Sequence, residues 1–228
     1  MDADPEARAL TACFQGMPAE PKPVLQDTFD GAAGGRVTGP VTLGPGRSAE
    51  LAATDQAALF PEDRSEALYI YYGPFVPRRG RISLDLRVEA LPKDHHFMTL
   101  FSIGTGGNTC VLARFRLDRR LLVHLLTPAE TVQLVSEPLA LAAWHHLELA
   151  YAPEGALLRL DGVTHDYSTD YGTPYACDLS NAFYLGDQPW WDAGGRKAVF
   201  YPLDSFVGRL DNLQITRLGK DLPKGSTQ

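Results

Sequence analysis

Hydrophobic and polar positions alternate along the chain in short runs. The clearest is Ile82-Ser83-Leu84-Asp85-Leu86-Arg87-Val88-Glu89, which puts four aliphatic side chains on one face of an extended segment and polar ones on the other. That is the pattern of a half-buried strand. Similar signals recur at Ala67 to Tyr72, Met98 to Ile103, Cys110 to Leu117, Leu121 to Leu126, Thr131 to Val135, His146 to Tyr151, Leu157 to Leu160, Ala182 to Leu185 and Arg209 to Arg217. About ten to thirteen strands joined mostly by short turns predict two antiparallel sheets packed face to face.

The turns have their own chemistry. Asp161-Gly162 sits between Leu158-Arg159-Leu160 and Val163, and the glycine supplies the positive φ of a tight hairpin. Leu117-Asp118-Arg119-Arg120-Leu121 reads as a second hairpin without glycine, so its turn type stays open. Thr105-Gly106-Gly107-Asn108 is a third. Two segments, Tyr167 to Leu179 and Asp187 to Ser205, are long and show little alternation, and long loops on a rigid sandwich are where recognition usually resides. Residues 1–23 hold alanine, proline and charge without a sustained period, which predicts an arm or leader remnant with at most one short helical turn. The folded unit is expected over 24–218, with a tail at 219–228.

Composition narrows the picture. With 228 residues and 44% hydrophobic content there is material for one sizeable core, while 21 glycines and 17 prolines interrupt the chain too often for long helices. Twenty-eight acidic residues against 21 basic ones give a charge of −7, which excludes a general phosphate-backbone surface and so nucleic acid as a partner. The longest apolar stretch, Leu139 to Ala143 with Trp144 beside it, is far short of the ~20 residues of a transmembrane helix. Leu10-Thr11-Ala12-Cys13 is similar to a lipoprotein cleavage box, but the residues before it are charged and small where that signal needs an apolar segment. Three cysteines allow at most one internal disulfide; neither spacing nor context selects the pair, and Cys13 to Cys177 is the guess adopted. No Cys-x-x-Cys supports a zinc ribbon or a thioredoxin-type centre.

Five segments in order, Phe101-Ser102-Ile103-Gly104, Pro138 to Leu149 around Trp144-His145-His146, Leu158 to Val163, Ala182 to Gly186 and Phe206 to Ile215, resemble the laminin-G-like, concanavalin A-like jelly roll. The resemblance covers about residues 24–218 and implies an all-β, two-sheet antiparallel sandwich. It leaves function open, since this fold hosts sugar binding, protein binding and polysaccharide cleavage. It also implies that Trp144 fills the core at a strand start, and points to an exported, bacterial, extracellular or cell-envelope protein.

Asp211 breaks its strand's alternation: Leu213 and Ile215 share its parity and Leu210 does not, so either the strand bulges at Asp211-Asn212 or the carboxylate points inward. A buried carboxylate needs a partner, and calcium with oxygen ligands is one. Related jelly rolls carry a structural calcium where first and last strands meet, so the resemblance implies a site from Asp211 with Asp27 or Asp30. The alternative is a hydrogen-bonded turn with no metal.

Trp190-Trp191, between Gln188-Pro189 and Asp192-Ala193-Gly194-Gly195-Arg196, is the most unusual local composition. Exposed indoles offer a face to a sugar ring, and Gln188, Asp192 and Arg196 offer hydrogen bonds to its hydroxyls. Tyr167, Tyr171, Tyr175 and Tyr201 add aromatics to the same two loops, with Tyr171 and Tyr175 joining the nominated site. The alternative is that the tryptophans fold down and cap the sandwich. His95-His96 and His145-His146 alternate faces if extended, so a zinc site is not indicated and a structural role at the strand start is expected for the second pair. No Glu-x-Asp-x-x-Glu strand of a laminarinase-type hydrolase occurs, and a lyase would need a trio such as Tyr151, His124 and Arg114. The reading is a non-catalytic glycan-binding domain; the alternatives are a protein-interaction or structural module of a cell-surface assembly, and a polysaccharide lyase or hydrolase.

Overall fold

The computed structural model describes residues 4–19, 23–39, 41–48, 55–62, 68–74, 77, 79–93, 97–104, 110–126, 131–169, 182–187, 190–191, 198–199 and 205–219. Two antiparallel sheets face each other. One has eight strands: β13 (Val163–Ser168), β12 (Gly155–Leu160), β11 (Trp144–Ala152), β6 (Gly80–Val88), β17 (Gly208–Arg217), β4 (Gln56–Phe60) and β3 (Thr42–Pro45) in spatial order, with β1 (Leu25–Asp27) also on β17. The other has seven: β10 (Thr131–Val135), β9 (Leu121–Leu126), β8 (Val111–Arg116), β7 (Phe97–Ile103), β14 (Ala182–Leu185), β5 (Tyr69–Pro74) and β2 (Arg36–Thr38). A small ribbon joins β15 (Trp190–Trp191) to β16 (Ala198–Val199). The predicted all-β sandwich is what the chain adopts.

Alternation builds the core. Ile82, Leu84, Leu86 and Val88 of β6 and Leu147, Leu149 and Tyr151 of β11 meet Val111, Ala113 and Phe115 of β8 and Leu121, Val123 and Leu125 of β9 in one buried cluster. Full burial of each large aliphatic side chain contributes about 1.5–3 kcal/mol. Asp161 (φ 50°) and Gly162 (φ 79°) both take positive φ, the backbone of the tight β12–β13 hairpin. In the β8–β9 hairpin the left-handed position falls to Arg119 (φ 63°).

Other expectations are corrected. Residues 5–16 form a helix of 12 residues, α1 (Pro5–Gly16), in place of the single turn expected. Asp4 caps it by accepting from the Glu6 N–H at 2.9 Å, and Pro5 opens it, where its missing N–H costs nothing. Ala7, Leu10 and Phe14 lie on one stripe, and Leu10 and Phe14 pack with Ala150, Ala152, Leu157 and Leu218 on the outer side of the eight-stranded sheet. Trp144 is not in the core. It pairs with Arg87 and sits three residues from inward-facing Leu147, so parity turns it to the outer face, half-buried. Cys13 is free and exposed while Cys110 is disulfide-bonded, so the Cys13 to Cys177 pairing does not form.

Candidate functional site

The two outer faces differ in chemistry. On the eight-stranded sheet the bulge is the reading that holds: Asp211 pairs with Asp85 and Gln214 with Ser83, leaving Asn212 and Leu213 opposite Leu84, with Asn212 left-handed (φ 50°). The extra residue restores inward parity for Leu213 and Ile215 and keeps Asp211 beside Asp85 on the outside. Asp85, itself buried, is the hub there. Its Oδ1 bonds His146 Nδ1 at 2.6 Å and the Arg47 guanidinium, and its Oδ2 accepts from Asn212 Nδ2 at 2.9 Å. Burial opposes the charged form, but these bonds outweigh it and hold the Asp85 carboxyl below its ordinary range, while the bond to Asp85 raises His146. Beyond it, His145 Nδ1 bonds Asp161 Oδ2 at 2.8 Å and the His146 N–H donates to Asp161 Oδ1, the structural role expected of this histidine pair.

The three nominated calcium ligands have separate occupations. Buried Asp27 accepts from the Phe29 N–H, from the Gly34 N–H at 2.6 Å and from the Tyr72 hydroxyl at 2.7 Å, tying β1 to the opposite sheet. Asp30 accepts from the Gln56 N–H at 3.1 Å. Asp211 accepts from the Arg47 and Asn212 N–H groups; burial, with Asp55 and Asp85 nearby, still pushes its carboxyl up to about 6. Among the described residues no three His, Cys, Asp or Glu side chains are grouped to hold a metal ion. With donors already on each carboxylate, the three do not fit a shared ion.

The outer face of the seven-stranded sheet is different. Strand pairing lays a row across it, Tyr71 to Tyr184 to Ser102 to Leu112 to His124 to Gln133. Tyr184 packs against Tyr71 at 5.3 Å and Tyr69 at 5.9 Å between ring centroids, and all three rings are half-buried. Such tilted and edge contacts fix ring orientation and hold an aromatic surface ready. Arg114 projects from β8 with its guanidinium 3.8 Å from the Phe97 ring centroid. His124 is kept below its ordinary pKa by burial and then by the charge of Arg114, and its Nε2 is buried with no hydrogen-bond partner among the described residues. From Tyr184 to His124 the row crosses three strand spacings, about 14 Å, the reach of a short oligosaccharide.

The chain leaving β14 turns beside β7. Gly186 (φ 95°) makes the turn, where a Cβ would come within 2.2 Å of the Phe60 ring, and the Ser102 hydroxyl donates to the Asp187 carbonyl at 3.4 Å. Ser205 closes the return, its hydroxyl donating to Asp187 Oδ2 at 2.7 Å while it bridges to Thr99. Asp187 and Ser205, on either side of the segment carrying Trp190 and Trp191, are thus both tied to β7. For these two tryptophans only the backbone is described, paired with Val199 and Ala198. Gln188, Asp192, Arg196, Tyr171 and Tyr175 lie outside the described residues. Tyr167 belongs elsewhere: its hydroxyl donates to Asp4 Oδ2 at 2.7 Å, beside α1. Nor does the lyase trio assemble, because Tyr151 is fully buried in the core with its hydroxyl on the Pro77 carbonyl, whereas Arg114 and His124 do meet. Tyr69, Tyr71 and Tyr184 were not singled out from the sequence, although their strands carry aromatics at outward positions where solvated strands carry charge.

No family model matches the sequence, and no curated protein matches it. Solved structures do. Domain 4 of AbnA, a GH43 extracellular arabinanase from Geobacillus stearothermophilus solved in complex with arabinotriose, aligns at TM-score 0.57 and 17% identity over 89% of this chain and 95% of that one. The native heptameric SAP-like pentraxin from Limulus polyphemus aligns at 0.53 and 15% over 70% and 74%. Mouse laminin α1 domains LG4-5 align at 0.43 and 18% over 65% and 39%. The protein is an antiparallel two-sheet jelly-roll sandwich. At these identities the likeness defines the fold and no more.

Proposed function

We propose that the protein is a carbohydrate-binding domain that holds a glycan on the outer face of the seven-stranded sheet. The observation that carries the reading is the Tyr69–Tyr71–Tyr184 cluster, with the Tyr69 and Tyr71 rings packed on Tyr184, on the same sheet face as Arg114 and His124. Sugar rings bind through their C–H faces on aromatic surfaces and through hydroxyls to a few placed polar groups, and this face supplies both. The segment with Trp190 and Trp191, whose flanking Asp187 and Ser205 are tied to β7, is assigned to the same site. The arabinotriose complex of the AbnA domain, of nearly the same length, supports the ligand class. The disulfide at Cys110 favours an oxidising compartment, in keeping with an extracellular or cell-envelope location.

Calorimetric titration against a panel of neutral and acidic oligosaccharides tests this reading. The wild-type chain is expected to bind at least one member, and Tyr184→Ala to weaken that binding tenfold or more with the fold retained. No binding across the panel, with a protein partner captured in its place, would support the protein-interaction reading.

A further inference from the structure

We propose that His165 is a pH-sensitive latch between the edges of the two sheets: as a neutral imidazole it accepts the Glu137 N–H and closes this side of the sandwich, and its protonation in mild acid releases that end. Strand β13 is an edge of the eight-stranded sheet and β10 an edge of the seven-stranded one. Alternate N–H groups of an edge strand face away from their own sheet and need a partner. At the end of β10 the Ser136 N–H turns inward to the Leu121 carbonyl at 2.9 Å, while the Val135 and Glu137 N–H groups on either side of it turn outward. Side chains of β13 receive both. Asp166 Oδ2 accepts from Val135 at 2.8 Å, and His165 Nδ1 accepts from Glu137 at 3.0 Å.

A bulge makes this double grip possible. Asp166 pairs with Leu158 and Thr164 with Arg159, so His165 is the extra residue, opposite no residue of β12. Two consecutive side chains, which a regular strand would send to opposite faces, thereby reach the same neighbouring edge. The two grips differ in chemistry. A carboxyl keeps acceptor oxygens with or without a proton, so Asp166 holds Val135 in either state. A backbone N–H only donates, so the Glu137 bond fixes His165 Nδ1 as an acceptor, and an imidazolium has donors at both nitrogens and no acceptor. The charged groups facing His165 are Glu137 beyond β10, Asp161 in the β12–β13 hairpin and His145 on β11. Burial is the largest influence, and with His145 it outweighs the two acids, of which Glu137 is engaged by Arg120 at 3.3 Å and Asp161 by His145 at 2.8 Å; the His165 imidazole is held below its ordinary value. With the folded value lowered, the latch contributes its stability in full above about pH 6.5 and loses it as pH falls through the folded value.

Amide hydrogen exchange of the full chain between about pH 7.5 and about pH 5 tests the latch, each rate taken relative to that of an unstructured chain at the same pH. Protection of the Glu137 amide is expected to fall roughly fivefold toward acid, in step with the His165 ring titration, while the Val135 amide on Asp166 changes by less than about twofold. His165→Gln, whose side-chain carbonyl accepts without titrating, should keep Glu137 protected across the range. His165→Ala should leave it unprotected at both ends, with a melting curve showing that the fold is retained. Glu137 protection that stays level in the wild type, or that falls in His165→Gln as it does in the wild type, overturns the inference.

Discussion

The two outer faces of the sandwich use the same strand geometry for opposite ends. On the eight-stranded sheet every acidic row is answered: Glu148 lies between Arg81 and Arg159, Glu89 between Arg87 and Arg209, and Asp85 gathers His146, Arg47 and Asn212. Helix α1 then covers the end where Ala150 and Ala152 leave room for Leu10 and Phe14. On the seven-stranded sheet the outward positions include Tyr69, Tyr71, Tyr184, Arg114 and His124, and its described strands carry no carboxylate. A face whose polar groups satisfy one another holds the fold together. A face that presents clustered aromatic rings is suited to something outside the chain.

Substitutions should separate the two. The largest effect is expected from Asp85→Ala, which leaves His146, Arg47 and Asn212 around an emptied hub and should cost about 3 kcal/mol or more in denaturant unfolding, with glycan affinity unchanged. Phe14→Ala removes the largest side chain holding α1 to the sheet and should cost about 3 kcal/mol, again without touching binding. Tyr71→Ala inverts the pattern: its half-buried ring should cost only about 1 kcal/mol of stability, while glycan affinity falls severalfold. A large loss of binding in Asp85→Ala with its fold retained would erase the division.

The smallest effect concerns pH. The Asp211 carboxyl, raised to about 6 in the folded state, binds its proton more tightly there than in the unfolded chain, so stability declines as pH rises from about 4 to about 6. His146, also raised, adds stability that is complete below its ordinary value of about 6.5 and is lost as pH climbs through its folded value. Asp85, lowered, works at the acid end, its contribution fading as pH falls through its folded value. Asp211→Asn should flatten the decline between about pH 4 and 6 and leave the part due to His146. Melting temperatures from about pH 4 to about pH 8 check this. The same measurement with calcium and with chelator should give equal values if the N–H donors hold Asp211, and a rise with calcium would show an ion taking their place.

What could be read from the sequence follows from which physical signals are local. The alternation of β6 and β11 and the parity break at Asp211-Asn212 are local; the first points to the sandwich and the second to a bulge or an inward carboxylate, a choice only the register of β17 on β6 makes. The edge strands β1, β2 and β3 run only three or four residues, too short to show a period, and β13 carries Thr164, His165 and Asp166 because an edge need not bury a face. Helix α1 shows three apolar positions, and what stabilises it is the sheet it lies on, which no window of sequence contains. Trp144 was drawn inward by its size, but its register three residues before Leu147 decides otherwise. The tyrosine row is not legible in the sequence because Tyr71 and Tyr184 lie more than a hundred residues apart and become neighbours only when β14 inserts between β5 and β7.

The central claim, that the seven-stranded face binds the glycan, is tested most directly by following backbone amide resonances while an oligosaccharide bound in the panel is titrated in. The account predicts that shifts concentrate on β5, β14, β8 and β9 around Tyr71, Tyr184, Arg114 and His124, with the Asp85 and α1 region unmoved. Shifts centred on the eight-stranded face, with the tyrosine row silent, would contradict it.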